Sequence, residues 1–551
     1  MFNKKNLAAI FLITISLLLA IVARYYQLGK APAGLYLDEA AQGYNAYSIL
    51  QTGKDEFGKV FPVVFRSFTD FKTPIYIYLI TPLIPIFGLT AFTVRFPSFI
   101  FSIFSIPLIY LLIRQISSSK TVKNISLLTM LLLAISPWHI LFGRTNFECN
   151  VALFFFLLGL CLFYQGLKKP LLLIFSAVAF ALAIPSYHSQ RIIIPLMLII
   201  LFFKYRQTLL SRTYRKFLVA GLFIGFLILL PTLTVVNTPG FLARAAGLNI
   251  FSHPNGYINN LKGVTNFLVN NSLFLSTKEF FSLYLSYLAP RSMFILGDSV
   301  PRSSFPALAT FYLWQFPFYL YGLYLLIKDR RYQDLKFFTL SLLFISPIPA
   351  AVTRDPYSTI RSLPLVIPQL VIISLGMFDF YEKINKKLFR IVSVLGFAVI
   401  ITYSLIKLYS SVIILNEYYR PREWNYGWEK VTQKIKTLNP RLPIIVDNSR
   451  SEPYSQLLFF LRFDPSLYHK DNFEIPLSQY YINMSRNKEK KIGNIVTRPI
   501  NWEKDLYQEK YLIGDELSIS KNQIQRHNLI LIKEVYYPDG SLAFIIVKTN
   551  P

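Results

Sequence analysis

Two adjacent carboxylates, Asp38 and Glu39, lie in the stretch Gly34-Leu35-Tyr36-Leu37-Asp38-Glu39-Ala40-Ala41-Gln42-Gly43-Tyr44, soon after the first long apolar run. A carboxylate at the edge of a bilayer is costly to keep there, so it ordinarily carries a function. A carboxylate suits removal of a proton from an attacking hydroxyl. Cations stand at the ends of other apolar runs: Lys72, Arg95, Arg144, Arg191, Arg354 and Arg361. Ammonium and guanidinium groups suit an anionic leaving group, and the guanidinium fork suits phosphate in particular. Brought together, base and clamp offer the chemistry that moves a group from a lipid phosphate to a hydroxyl. Asp70, Glu148, His188 and Tyr357 complete the polar set.

Each of these residues also has a plainer reading. Arg95 and Arg191 would anchor helix ends at lipid headgroups. His188, alone near the end of a span, would be a structural hydrogen-bonder. Asp70 with Lys72, and Arg354 with Asp355, would be local ion pairs. Asp38 would cap a helix starting near Ala40. Tyr76 and Tyr78 fit an aromatic belt.

The elements that must position this set are membrane spans. The chain has 551 residues, 53% of them hydrophobic and 16% aromatic, with formal net charge +28. That composition excludes an ordinary soluble domain. The basic residues form short clusters between apolar runs, which is the pattern of cytoplasmic loops and not of a nucleic-acid surface. Cys149 and Cys161 on one helix would stand roughly 18 Å apart, too far for a disulfide. Lys4 and Lys5 precede the run Leu7 to Val22, read as an uncleaved first span although Ala31-Pro32-Ala33 imitates a cleavage site. Pro74, Pro82, Pro85 and Gly88 interrupt the segment 74–89, so it is expected to lie along the membrane as a helix pair. With that assignment about eleven spans follow, and every strongly basic loop, such as Lys204 to Lys216, falls inside. The carboxylates and arginines above then collect outside.

From Glu417 the apolar runs shorten, and charged residues and prolines rise. Leu442 to Asp447 reads as a buried strand, and Asn528 to Lys533 and Ser541 to Lys548 as strands around a Tyr-Pro-Asp-Gly turn. The expected fold class is a polytopic α-helical membrane protein with a C-terminal extracytoplasmic α/β domain. Its expected divisions are a transmembrane domain over 1–410, holding outer loops at 27–94 and 237–305, and a soluble domain over 411–551. No nucleotide-binding loop or zinc-ligand spacing occurs, so an activated lipid must drive any transfer. A transporter or flippase for a lipid-linked or anionic substrate is the alternative. It would place ionisable residues inside spans, where this chain has almost none.

Leu37-Asp38-Glu39 after the first span resembles the Asp-Glu motif of GT-C class membrane glycosyltransferases, and most of all the protein O-mannosyltransferase and aminoarabinose (lipid A) transferase superfamily. Phe71-Lys72-Thr73-Pro74, Thr93-Val94-Arg95-Phe96-Pro97-Ser98 and Arg144-Thr145-Asn146-Phe147-Glu148 resemble further stretches of that family, in the same order. The resemblance implies a polyprenyl-phosphate sugar donor, a hydroxyl acceptor, an outward-facing cavity in the cytoplasmic membrane and no required metal. It implies Asp38 as catalytic base, Glu39 as its partner, Lys72 near the donor and Glu148 as second acid. Many members have Glu-Lys-Pro-Pro at Phe71–Pro74 and Asp at Glu148. The motif does not fix the phosphate-binding arginine; Arg361 and Arg354 are expected from topology. The resemblance does not reach the C-terminal domain.

Overall fold

The computed structural model describes residues 4–68, 70–117, 119–238, 241, 262–472, 476–482 and 489–551. The early, Asn-rich part of the 237–305 loop falls outside them over 242–261. The chain divides into two compact units. The first comprises Met1–Tyr26, Ser98–Asn237 and Leu242–Ser411; the second comprises Gln27–Pro97, Thr238–Phe241 and Val412–Pro551.

The first unit is helical. Eight described helices, counting Ala91–Ile116, which runs on from the second unit, are long and apolar enough to cross a membrane. The pair Lys120–Ile135 and Pro137–Arg144, bent by 54°, makes a ninth if it counts as one span. The bend has a local cause. Ser136 Oγ accepts from His139 N, and Pro137 occupies the first position of a new helix, so the first helix stops and a second is capped at the same residue. Two further expected spans are helices of only 12 and 13 residues, Leu172–Ala183 and Phe316–Lys328. At 1.5 Å per residue these reach about 18–20 Å, short of a hydrocarbon core of about 30 Å. The chain is thus a multi-pass membrane protein in which not every apolar helix has full spanning length. Gly322 and Gly376 let Phe316–Lys328 and Val366–Glu382 pack closely, since a Cβ on Gly322 would stand 1.9 Å from Ile372 O. Buried Arg24 ties three helices together, donating to Ser102 Oγ (2.6 Å), Leu133 O (3.2 Å) and Ala134 O (2.8 Å).

The second unit joins Gln27–Pro97 to the C-terminal region. Strands β1 (Phe65–Ser67) and β2 (Asp70–Lys72) form an antiparallel hairpin. Pro74–Ile80 and Ile84–Phe87 follow as the broken helix expected between Pro74 and Leu89. The C-terminal strands are β3 (Ile444–Val446), β4 (Lys490–Ile492), β5 (Ile495–Thr497), β6 (Tyr511–Gly514), β7 (Ile530–Tyr536) and β8 (Leu542–Lys548). They make one sheet in the order β4-β5-β3-β6-β8-β7, with β3 parallel to both β5 and β6. Alternation divides its side chains between two cores. Ile444, Val446, Ile513 and Ile546 enter one with Trp428, Leu457 and Leu458, while Ile445, Leu512, Ile545 and Val547 enter the other with Ile519 and Leu529. Tyr44 of the Leu37–Thr52 helix joins the first of these cores. The 27–94 segment, expected as part of the transmembrane domain, therefore packs with the C-terminal sheet.

Candidate active site

The helix that carries the carboxylate pair begins at Leu37, with Asp38 and Glu39 in its first turn. Negative side chains are favourable at that end of a helix. Asp38 is not the cap. Glu39, one residue on, closes back on the chain and accepts from Tyr36 N at 3.0 Å. The turn is also tied from the C-terminal region. Asn425 Oδ1 accepts from Leu37 N at 3.0 Å, and Gln456 Nε2 donates to Leu35 O at 2.8 Å. Gly34 has φ +94°, and a Cβ there would fall 2.3 Å from Trp424 O. Glycine is what lets the chain turn there.

The two carboxylates take different partners. Asp38 Oδ2 pairs with Lys72 Nζ at 2.7 Å, and the Asp38 side chain is 21% exposed. Lys72 ends β2, and Thr73-Pro74 converts that strand into the next helix, Pro74 taking the first helical position where no N–H is needed. Glu39 meets Arg95 with both side chains fully buried. Arg95 Nε donates to Glu39 Oε1 (3.0 Å) and Nη2 to Oε2 (2.9 Å). Its other N–H groups reach Leu28 O (3.3 Å), Pro32 O (3.0 Å) and Gly34 O (2.7 Å). Five donors thus find five acceptors. The Trp424 ring lies 5.9 Å from the guanidinium. Of the expected pair, Asp38 is the partly exposed carboxylate, and Glu39 is built into the scaffold.

Asp70 opens β2 in the second unit, and the remaining expected residues belong to the first unit. Arg144, buried at the end of Pro137–Arg144, donates to Ala23 O at 2.9 Å. Glu148 is buried at the N-terminal boundary of the Cys149–Gly166 helix. The His188 ring stands edge-on to Tyr187, before Arg191 in the first turn of Gln190–Leu209. Arg354 pairs with Glu279 at 3.1 Å, not with Asp355 as the local reading had it. Asp355 pairs instead with Arg361, whose Nη1 also donates to Thr353 Oγ1 at 2.7 Å. Tyr357 is buried, its hydroxyl 2.6 Å from Thr310 Oγ1 and its ring against Tyr287 and Trp138. Among the described residues no group of three or more His, Cys, Asp or Glu side chains is arranged to hold a metal ion.

Asn425, Trp424 and Gln456, which hold the motif turn, are not singled out by residue type. A signal did exist in Trp424-Asn425-Tyr426-Gly427-Trp428, where Asn425 (φ +52°) and Gly427 (φ +99°) both adopt left-handed backbone. Asn and Gly are the residues that tolerate it.

Residues 71–234 match the family model described as dolichyl-phosphate-mannose-protein mannosyltransferase. No curated protein matches the chain. Among solved structures, ArnT from Cupriavidus metallidurans in the apo state is similar at TM-score 0.54 and 12% identity, covering 100% of both chains. The same protein bound to undecaprenyl phosphate is similar at TM-score 0.52 and 13% identity, over 98% of this chain and 99% of that one. The archaeal oligosaccharyltransferase AglB from Archaeoglobus fulgidus, in complex with an inhibitory peptide and a dolichol-phosphate, is similar at TM-score 0.50 and 13% identity, over 98% of this chain and 74% of that one. The likeness to GT-C class membrane glycosyltransferases, first seen in the motifs around Asp38, Lys72 and Arg95, extends to the fold of the whole chain.

Proposed function

We propose that this chain is a membrane glycosyltransferase. It moves a hexosyl or pentosyl unit from a polyprenyl-phosphate donor to a hydroxyl of a protein, lipid or envelope glycan, on the outer face of the cytoplasmic membrane. The Asp38–Lys72 pair carries this reading: a partly exposed carboxylate sits 2.7 Å from an ammonium group on the motif turn of a GT-C-like fold. Asp38 takes the proton of the acceptor hydroxyl as its oxygen bonds to the anomeric carbon. The bond from that carbon to the donor phosphate breaks on the opposite face, inverting the centre. Lys72 faces the negative charge that gathers on the departing lipid phosphate. Glu39 and Arg95 hold the turn that presents Asp38. The reading further assigns Glu148 the role of second acid and Arg361, Arg354, Arg191, His188 and Tyr357 roles in donor binding, and it requires no metal. The dolichol- and undecaprenyl-phosphate named with the similar structures support a lipid-linked donor of the same kind.

The test is mass spectrometry of envelope glycans, lipids and glycoproteins from cells with the wild-type gene, with Asp38→Asn and without the gene. A sugar modification should disappear on deletion and return with the wild type. It should fall by about 10²–10⁴-fold in rate with Asp38→Asn expressed at equal level. A full modification with Asp38→Asn would remove Asp38 as the base.

A further inference from the structure

We propose that the C-terminal sheet holds a second site, a crevice that binds one saccharide unit, apart from the Asp38–Lys72 pair. Its place follows from the topology. β3 and β6 are parallel neighbours. The chain leaving β3 passes through the Tyr454–Leu461 helix to β4 and β5 on one side of the sheet, and the chain leaving β6 passes through Lys521–Arg526 to β7 and β8 on the other. The two connections diverge at the carboxyl ends of adjacent parallel strands. Open α/β sheets bind ligands in the crevice that such a divergence leaves. A cavity of about 200 Å³ opens there, bounded by Asp447 just after β3 and by Gly514 and Asp515 at the end of β6.

The walls select the ligand. One side is aromatic: the Tyr426 and Tyr537 rings lie 6.3 Å apart, and Trp428 packs on Phe544 at 4.6 Å. The other side is polar and already internally bonded. Arg450 forks onto Asp515 at 2.6 and 3.0 Å and reaches Ser518 Oγ at 2.7 Å. Asp447 accepts from Ser518 Oγ (3.0 Å), Ser449 N (3.0 Å) and Ile500 N (3.1 Å). These groups offer fixed donor and acceptor edges, with Arg450 and Asp515 compensating each other and Asp447 held by neutral donors. Arg422 stands at the mouth over the Tyr537 ring, 5.2 Å away, with one long hydrogen bond of 3.4 Å to Ser541 and donors to spare. A sugar ring matches all three features. Its C–H face lies on the tyrosines, its hydroxyls bond the charged edges, and its size fits the volume. A free phosphate would gain nothing from the rings, and of the two arginines that line the crevice Arg450 is already forked onto Asp515. A prenyl chain or a dinucleotide exceeds the space.

Asn425 connects this crevice with the motif turn: it lines the cavity, and its Oδ1 holds Leu37 N, one residue before Asp38. Resting on the transferase reading, the bound sugar belongs to an acceptor that already carries glycan. The test uses the full-length protein purified in detergent, titrated by calorimetry with methyl hexosides and short oligosaccharides, with glycerol and inorganic phosphate as controls. At least one saccharide should bind saturably, at least tenfold more weakly in Tyr537→Ala and in Arg422→Ala, and unchanged in Asp38→Asn. Arg422 is exposed and Tyr537 half-buried, and a wild-type melting temperature in each variant shows that the fold is kept. Absence of saccharide binding, binding indifferent to both variants, or binding lost in Asp38→Asn would each overturn the proposal. Absence of binding alongside loss of transfer in Asp38→Asn removes this inference and leaves the transferase reading intact. Saccharide binding alongside full transfer in Asp38→Asn does the reverse.

Discussion

Asp38 and Glu39 are neighbours with opposite duties, and their partners decide which is which. Lys72 lies 34 positions from Asp38, and Arg95 lies 56 from Glu39. Residue types and the order of the motifs point to all four, but nothing in the sequence says which cation pairs with which acid, because both answers need the same charges. The structure separates them by exposure, since the Glu39–Arg95 pair is fully buried. A buried pair is dear to break from one side, since a lone charge stays behind, and the loss is typically about 3–5 kcal/mol. Arg95→Lys keeps the charge but offers three donors from one point where five diverge. It should lower stability by about 3 kcal/mol, read as a lowered thermal midpoint of the purified protein. Asp38→Asn should stay within about 1 kcal/mol of wild type. Equal stability of Arg95→Lys and wild type would show that the fork does not hold the turn.

At the scale of elements, long helices are legible and short strands are not. Runs such as Cys149–Gly166 and Arg212–Leu233 have apolar residues throughout and charge only at their ends, so length and hydropathy suffice. β1 and β2 have three residues each and no alternation long enough to read. β6, Tyr511–Gly514, is buried along its whole length, a four-residue apolar run that local pattern cannot tell from a helix turn. β3 and β8 are read because their runs are bounded by turn residues. The start of the motif helix depends on a side chain from far along the chain, which no local rule anticipates. Asn425 supplies an acceptor to Leu37 N much as an N-cap residue would, so its loss should remove about 1 kcal/mol. Asn425→Gly isolates that bond, because glycine keeps the φ of +52° without strain. Asn425→Ala loses the bond and strains the backbone as well, so its thermal midpoint should lie below that of Asn425→Gly. The reverse order would mean that the backbone conformation, and not the hydrogen bond, is indifferent here.

For the whole molecule, alternation of charge gives an orientation that is directly testable. The helices Gln190–Leu209 and Arg212–Leu233 meet at Ser211 inside the cluster Lys204, Arg206, Arg212, Arg215 and Lys216, which the charge rule predicts to be cytoplasmic, and Ser541, just before β8, is predicted to be outside. Native Cys149 and Cys161 are buried, so single cysteines at Ser211 and Ser541 can be labelled over a low background. The two should react from opposite sides of sealed vesicles, and labelling from one side would refute the orientation. The segment around Asp55 and the C-terminal region also share a titrating contact that composition does not reveal. Asp55 is buried, and burial raises its carboxyl from 3.8 to about 7, against the lowering effect of hydrogen bonds from Tyr480 and from the Lys59 and Phe57 N–H groups. Glu56 adds to the rise, while His469 Nε2 meets Asp55 O at 2.6 Å. The folded chain therefore keeps the Asp55 proton up to about pH 7, whereas the unfolded chain releases it near pH 4. The folded form binds more protons between those limits, so this contribution is present in full below about pH 4 and is lost as pH rises through about 7. The difference corresponds to about 4 kcal/mol. Burial holds the neighbouring His469 below its usual value, which acts in the opposite sense over part of the window, whereas Lys490, lowered to about 8, titrates above it. Comparison with Asp55→Asn cancels both. Asparagine can still accept from the Lys59 and Phe57 amides through its single oxygen and can turn its amide N–H toward the Tyr480 hydroxyl, but has no proton to lose. The thermal midpoint of the wild type relative to Asp55→Asn should fall as pH rises from about 4, most steeply near pH 5 to 6, and level off above about pH 7. A constant offset across that range would mean that Asp55 titrates alike in the folded and unfolded chain.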